Sequence, residues 1–505
     1  MSGSNASGPV YLIGAGPGAP GLLTLRGAQL LGRCEVVLFD GLCNPALLGH
    51  APGAKHVCVG KHGQSRLWTQ AEIIEEMIRH ARAGRVVARL KGGDPAVFAR
   101  TSEEVEALRE AGIRFEIVPG ITAALAAGSY AGIPVTDRRL ASAVALVTGH
   151  EEPGKVDSAI DWSALAQFPG TLVIYMGVTT VGTWTRALLV AGKPPTTPVA
   201  LVRRCSHNDQ QTFHCRLDEV EERLTPATKL RPPVIVIVGP VTQLAESMSW
   251  IHLRPLHGQT ILVTRPADGA DTLAGPLTEL GAHVLRQPVI EISPPESYTE
   301  IDAAIQQLDQ FDVIAFSSRN GVRFFLDRLI ESVGDVRRLG STQIAVVGRQ
   351  TARSLADYHL QADIIPDDFR AQSLAAILAP EASGKRFLLI RASRGGNDLA
   401  AGIGAAGGLV TEIVAYQHRD VSEPDLAIAE QLRDGKVDWI TVTSSASAKS
   451  LARMFGEDLK DTRIASISPV TSASLRDLGL KVAAEAKSYT MHGVIEAIQS
   501  AVNPS

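Results

Sequence analysis

At 505 residues the chain is longer than one hydrophobic core fills, and its length points to roughly two to four domains. Its make-up, 45% hydrophobic and 20% charged, is that of an ordinary α/β protein, and a formal charge of -4 excludes a global basic field that would recruit nucleic acid or an anionic membrane. The five cysteines (Cys34, Cys43, Cys58, Cys205 and Cys215) are odd in number and form no CxxC pair, which argues for reduced thiols and against a disulfide frame or a bound metal.

Residues 1–8 are small and polar, lacking the charged and apolar regions of a signal peptide, and read as a disordered tail. No apolar run is long enough to span a bilayer, so a cytoplasmic protein is expected. Val10 to Ile13 then predicts a strand, Thr24 to Leu31 a helix, Glu35 to Phe39 a strand, and Thr69 to Arg82 an amphipathic helix. Further strands are predicted at Leu172–Tyr175, Val199–Val202 and Val234–Val238. This alternation implies a mostly parallel, covered sheet. The pattern breaks between Ser249 and Gln259, which carries Pro255 and Gly258. The division expected is one domain over 9–250, a linker over 251–258 and a second domain over 259–505.

The second half contains itself twice. Ile261-Leu-Val-Thr-Arg265 aligns with Phe387-Leu-Leu-Ile-Arg391, Gly281 with Gly407, and Asp312 to Ser318 with Asp438 to Ser444. The register is constant: 391 − 265 = 407 − 281 = 438 − 312 = 126. Ile344 to Thr351 pairs with Ile464 to Thr471 at 464 − 344 = 120, as a short deletion would produce. Two similar lobes make a cleft between them, and clefts hold ligands.

Two glycine motifs carry the chemistry of the first half. Gly14-Ala-Gly16-Pro-Gly18 follows a strand, with Asp40 at the end of the next, which meets the loose dinucleotide-binding pattern. Pro17 and Pro20 count against a pyrophosphate cradle, because they lack N–H groups where phosphate oxygens would need them, and the helix cannot begin before Leu22 or Thr24. The loop is built for stiffness and close approach. Arg89-Leu-Lys-Gly-Gly-Asp-Pro95 sets paired glycines beside a carboxylate, where a ligand can come close to bare backbone.

Together these motifs resemble uroporphyrinogen-III C-methyltransferase, the S-adenosylmethionine enzyme that methylates a tetrapyrrole precursor of sirohaem and cobalamin. The likeness runs from about Val10 to Trp250. It rests on the two glycine motifs, Val37-Leu-Phe-Asp40, Val59-Gly-Lys61, Val118-Pro-Gly-Ile-Thr-Ala123, Val147-Thr-Gly-His150, Tyr175-Met-Gly177 and Pro233 to Gly239. The resemblance implies two α/β lobes with the methyl donor between them, no metal, and a homodimer formed through this half. It implies that Pro17, Gly92, Gly93, Asp94, Val97, Thr122, Ala123, Met176 and the backbone at Cys205 hold the donor. Asp40 matches the family's proposed base and Lys61 its proposed acid. Because the substrate carries many carboxylates, Arg89, Lys91, Arg100 and Arg138 are candidate cations for it. The chain departs from the family pattern at Phe98–Glu103, Val135–Arg138, His62–Trp68 and Cys205.

From about Gly258 onward the chain resembles uroporphyrinogen-III synthase, whose fold is two similar α/β lobes joined by a two-stranded connection. The signals are Val263-Thr-Arg-Pro266, Phe316-Ser-Ser318, Val347-Gly348, Val414-Ala-Tyr416 and Thr443-Ser-Ser445. The resemblance implies closure of hydroxymethylbilane with inversion of one ring. Tyr416 would assist departure of the hydroxyl, with Arg265, Ser318 and Thr471 at the substrate. Ser468 stands where the family usually has glycine. Two other readings stay open: a non-catalytic tetrapyrrole-binding second half, and a different methyltransferase of the corrin pathway.

Overall fold

The computed structural model describes residues 7–60, 68–150, 159–224 and 230–503. Two compact units divide the chain: residues 1–258 with Leu280–His283, and Gln259–Glu279 with 284–505.

The first unit holds two five-stranded sheets. In the first lobe β1 (Val10–Gly14), β2 (Val36–Phe39), β3 (Lys55–Cys58), β4 (Val87–Lys91) and β5 (Phe115–Val118) lie in the order β3-β2-β4-β1-β5, and every pairing is parallel. β4 is buried along its whole length and β1 at every position but Tyr11, because helices cover both sides, as parallel sheets require. Thr24 caps the helix Leu25–Leu31 by accepting from Gly27 N at 3.1 Å. The helix Gln70–Arg82 begins in a reciprocal Thr69–Glu72 capping box, which contributes about 1 kcal/mol. The ends of β1, β2, β4 and β5 thus all open at one edge of the lobe, outside the carboxyl ends of the strands.

In the second lobe β6 (Val144–Thr148), β7 (Thr171–Tyr175), β8 (Pro198–Arg203), β9 (Gln211–Arg216) and β10 (Val234–Val238) run in the order β6-β7-β10-β8-β9. Only β6 and β7 pair in parallel. The β7–β10, β10–β8 and β8–β9 pairings are antiparallel, which corrects the expectation of a mostly parallel sheet here. For β8 and β9 the connection decides it, since the seven residues between them are too few for a helical crossover; β10 returns from further along the chain to lie between β7 and β8.

The second unit also has two sheets. β11 (Thr260–Val263), β12 (His283–Arg286), β18 (Trp439–Val442), β19 (Arg463–Ser466) and β20 (Val482–Glu485) form one, ordered β12-β11-β18-β19-β20. β13 (Ile290–Ser293), β14 (Val313–Phe316), β15 (Gln343–Val346), β16 (Arg386–Ala392) and β17 (Leu409–Asp420) form the other, ordered β13-β17-β16-β14-β15.

The duplication is visible in this arrangement. β11 lies beside β18 as β16 lies beside β14, so each lobe joins the first block of one repeat to the second block of the other. β13 pairs antiparallel with β17, with Ile292 opposite His418, and 418 − 292 = 126. A pseudo-twofold axis therefore passes through that pair. Ser318 and Ser444, also 126 apart, cap the helices Arg319–Val333 and Ser445–Phe455 in the same way.

Candidate functional site

In the first unit the site is built on glycine packing. Gly16 and Gly93 form an antiparallel bridge, Gly93 N donating to Gly16 O at 2.8 Å and Gly16 N to Gly93 O at 3.1 Å. A Cβ on Gly14 would fall 2.6 Å from Gly120 Cα, and one on Gly120 would fall 2.2 Å from Gly93 O. These glycines are required by the protein's own backbone. Gly92 is different: a Cβ there would meet nothing nearer than Leu42 Cβ at 3.6 Å. The open space beside Gly92 and Gly93 is a cradle the fold leaves unfilled.

Asp94 braces this floor. One carboxylate oxygen accepts from Ala96 N at 2.7 Å and the other from Gly120 N at 2.9 Å. Across the cleft between the lobes, Tyr175 ends β7. Its hydroxyl meets Thr122 Oγ1 at 2.7 Å and accepts from Ala124 N at 2.9 Å, while its ring meets Phe98 edge-on. Phe98, Arg100, Met176, Arg204 and Ser206 are non-glycine residues at positive φ, and all five lie in loops of this unit. Such strain costs on the order of 1–3 kcal/mol each and gathers where geometry serves a site. The Arg204–His207 turn also docks on the first glycine loop: Ala19 N donates to Ser206 Oγ at 3.0 Å, and the His207 ring fills the space a Cβ on Gly18 would need.

Below the floor lies a buried ion cluster. Arg89 and Lys91 alternate along β4 and so share one face. Arg89 donates to Asp40 Oδ1 at 2.6 Å and to Glu104 Oε1 at 3.2 Å. Lys91 Nζ donates to Glu104 Oε2 at 2.6 Å, and Gln70 also donates to Glu104. Glu104 is fully buried, Arg89 and Lys91 are each 3% exposed, and Asp40 alone reaches the cleft. Two cations face two carboxylates, so the cluster is neutral. Burial opposes the charge on Arg89, but Asp40 and Glu104 together raise its proton affinity. On Lys91 burial, assisted by the Arg89 charge, prevails and lowers it.

In the second unit Tyr416, on β17, is buried at 3% exposure. Its hydroxyl lies 2.8 Å from Ser318 Oγ, and its ring stacks on Phe324 and meets His418 edge-on. Burial raises its proton affinity, so the hydroxyl stays a donor. Thr471 is turned inward, its hydroxyl 3.2 Å from Ser468 Oγ.

The family described as tetrapyrrole (corrin/porphyrin) methylases matches residues 9–221, and the family described as uroporphyrinogen-III synthase HemD matches 271–496. The porphyrin biosynthesis protein HemD of Ruminiclostridium josui is 32% identical over 490 residues, 97% of this chain and 95% of its own. The chain belongs to the tetrapyrrole methylases through its first half and to the uroporphyrinogen-III synthases through its second. The methylase half is 46% identical to the S-adenosyl-L-methionine-dependent uroporphyrinogen III methyltransferase of Methanosarcina barkeri over 245 residues, 48% of this chain and 95% of that protein. A solved uroporphyrin-III C-methyltransferase from Thermus thermophilus, complexed with S-adenyl homocysteine, is 42% identical with a TM-score of 0.41, covering 47% of this chain and all of that one.

In the methylase half the structure brings Pro17, Gly92, Gly93, Asp94 and Val97 together at the strand ends of the first lobe. Thr122 and Ala123 open the helix Ala123–Ala131, and Met176 follows β7, half exposed. Cys205 is buried, its Sγ 3.7 Å from Ala123 O, and burial pushes its thiol up to about 12. All five cysteines are free. Arg89 and Lys91 are corrected: they offer no free cation to a substrate, because both are spent inside the cluster. Arg100 is exposed and forks onto Glu103 at 2.7 Å, and Arg138 is exposed. Lys61 lies outside the described residues. Sequence reasoning missed Glu104, Tyr175, Ser206 and His207. Two cations two residues apart in a buried strand were the available signal for Glu104.

Proposed function

We propose that the chain performs two consecutive reactions. The synthase half closes hydroxymethylbilane to uroporphyrinogen III with inversion of the last ring and loss of water. The methylase half then methylates that product at two pyrrole carbons, giving precorrin-2. The observation that carries this reading is the cradle beside Gly92 with Asp40 at its edge, in a chain whose relatives carry both names.

S-adenosylmethionine, when bound, supplies an electrophilic methyl group. Gly92 and Gly93 fit its approach because they leave backbone bare, with Pro17, Asp94, Val97, Thr122, Ala123, Met176 and the Cys205 backbone around them. Catalysis by these residues is mainly alignment of pyrrole carbon and methyl. Methylation leaves the attacked, fully substituted carbon quaternary and the ring system cationic. Asp40 then accepts the proton that the macrocycle loses from a neighbouring position to restore neutrality, its carboxylate aimed by Arg89 and by Gly92 N at 3.3 Å. Lys61 is the proposed acid, and the exposed Arg100 and Arg138 the cations for substrate carboxylates. In the synthase half Tyr416 would donate to the departing hydroxyl, with Ser318 and Thr471 near the substrate. The burial of Tyr416 favours a second reading, in which this half binds a tetrapyrrole without closing it. A homodimer through the methylase half is part of this reading, consistent with the half-exposed apolar Leu125, and the setting proposed is cytoplasmic.

The test is anaerobic incubation of the whole protein with hydroxymethylbilane and S-adenosylmethionine, the products separated by mass and isomer. A dimethylated type III macrocycle is expected. Type I products alone would leave the binding reading, and unmethylated type III would remove the methylation step.

A further inference from the structure

The duplication gives each charged residue of the synthase half an internal control. Arg391 at the end of β16 has a full set of partners: the Glu412 carboxylate, Ala392 O at 3.4 Å and Gly395 O at 3.3 Å. The repeat maps Arg391 onto Arg265 and Glu412 onto Arg286, since 391 − 265 = 412 − 286 = 126. Where the acid should be there is a third arginine, and it pairs instead with Asp271 at 2.6 Å.

Arg265 has kept its half-buried position but has no counter-ion among the described residues. Among the described residues one terminal nitrogen meets only Met491 Sδ at 2.7 Å, and a thioether is a weak acceptor. Its Nε is buried with no hydrogen-bond partner among the described residues. Burial lowers its proton affinity, and the neighbouring charge of Arg319 lowers it further. Arg319 comes from the other lobe. It is exposed, opens the helix Arg319–Val333 beside Ser318, and makes no hydrogen bond or ion pair among the described residues. Its repeat mate is the neutral Ser445.

A half-buried guanidinium without an acid is costly, and a second one in its field adds to the cost. An anion relieves both. We infer that Arg265 and Arg319 form a carboxylate receptor spanning the two lobes, opened by loss of the acid that neutralises Arg391 and completed by a carboxylate of the substrate. The planar, forked guanidinium suits a carboxylate better than any other group the proposed substrate carries. One carboxylate shared by both lobes also ties them together on binding. The inference rests on the polycarboxylate substrate proposed above, and not on the chemistry of ring closure.

The test compares full-length Arg265→Met, Arg319→Met, the double variant and Arg391→Met. The KM for hydroxymethylbilane should rise about tenfold or more in each of the first two while kcat stays within about threefold. The double variant should be no worse than about the larger single effect, because both residues hold one carboxylate. Without ligand, Arg265→Met should melt at or above the wild type, whereas Arg391→Met should melt below it by stranding Glu412. An Arg265→Met protein that melts low with an unchanged KM overturns the inference. A wild type that cannot cyclise hydroxymethylbilane removes the synthase reading instead, and the receptor is then decided by melting with uroporphyrin III. The rise must shrink in Arg265→Met and Arg319→Met and persist in Arg391→Met; an equal rise in all overturns it.

Discussion

Both halves of this chain set arginines at strand ends beside a cleft, and they treat the charge in opposite ways. Arg89 and Lys91 in the methylase half are matched inside the protein by Asp40 and Glu104. Arg265 in the synthase half is left with a sulfur atom and another arginine. A closed cluster costs desolvation once, at folding, and delivers one carboxylate in a fixed direction. An open cluster keeps its cost until a ligand arrives, so it stores affinity and not geometry.

Breaking the closed cluster should have the largest effect. Glu104→Gln leaves Arg89 and Lys91 facing only Asp40, and a loss of about 3–5 kcal/mol is expected in the unfolding of the methylase half by denaturant. Methyl transfer should disappear with it. Asp40→Asn removes the group the cluster presents, and single-turnover methylation should slow by about 10²–10⁴-fold. Calorimetry should find S-adenosylhomocysteine bound as before. A loss of donor binding instead would mean that Asp40 belongs to the cofactor site and not to the proton step.

The glycines sharpen the comparison at smaller scale. Gly120→Ala pushes a methyl into Gly93 O and should destabilise the half by about 3 kcal/mol, the upper end of the usual cost of overpacking. Gly92→Ala has room and should leave melting unchanged while weakening S-adenosylhomocysteine by about tenfold, about 1.4 kcal/mol. The smallest effect concerns pH. Burial, with the Arg204 charge, lowers His207 to about 4, below its ordinary value near 6.5. The folded form therefore resists protonation more than the unfolded one. The stabilisation is full above about pH 6.5 and is lost as pH falls toward 4, on the order of 1–2 kcal/mol by pH 5. Melting at pH 7 and pH 5 should show a smaller drop for His207→Gln than for the wild type.

Much of this was legible in the residues. The periodicities at Val10–Ile13, Thr69–Arg82 and Val234–Val238 reflect local forces, and the elements formed there. The 126-residue register survived because a strand, its arginine and the next helix repeat as a block. The antiparallel pairings of β8, β9 and β10 were not legible, because strand direction depends on where the chain returns. The destiny of a charge was hidden for the same reason. The Arg89–Lys91 pair in a buried strand signals that some acid must neutralise it but does not single out Glu104, fifteen residues on, and nothing local to Arg265 reveals that its acid was replaced at Arg286. The first needs the fold, and the second needs the comparison between repeats.

The way β11 pairs with β18 also sets a schedule for synthesis. Ile261 lies opposite Trp439, and after Ile261 a further 439 − 261 = 178 residues must be added before Trp439 is in the chain. At about 5–20 residues per second that interval lasts roughly 10–35 s. The lobe built from β13 to β17 is one continuous stretch and has all its strands before β18 emerges. On the ribosome it is the inner lobe that closes first, while one edge of β11 waits unpaired for a neighbour still to be made.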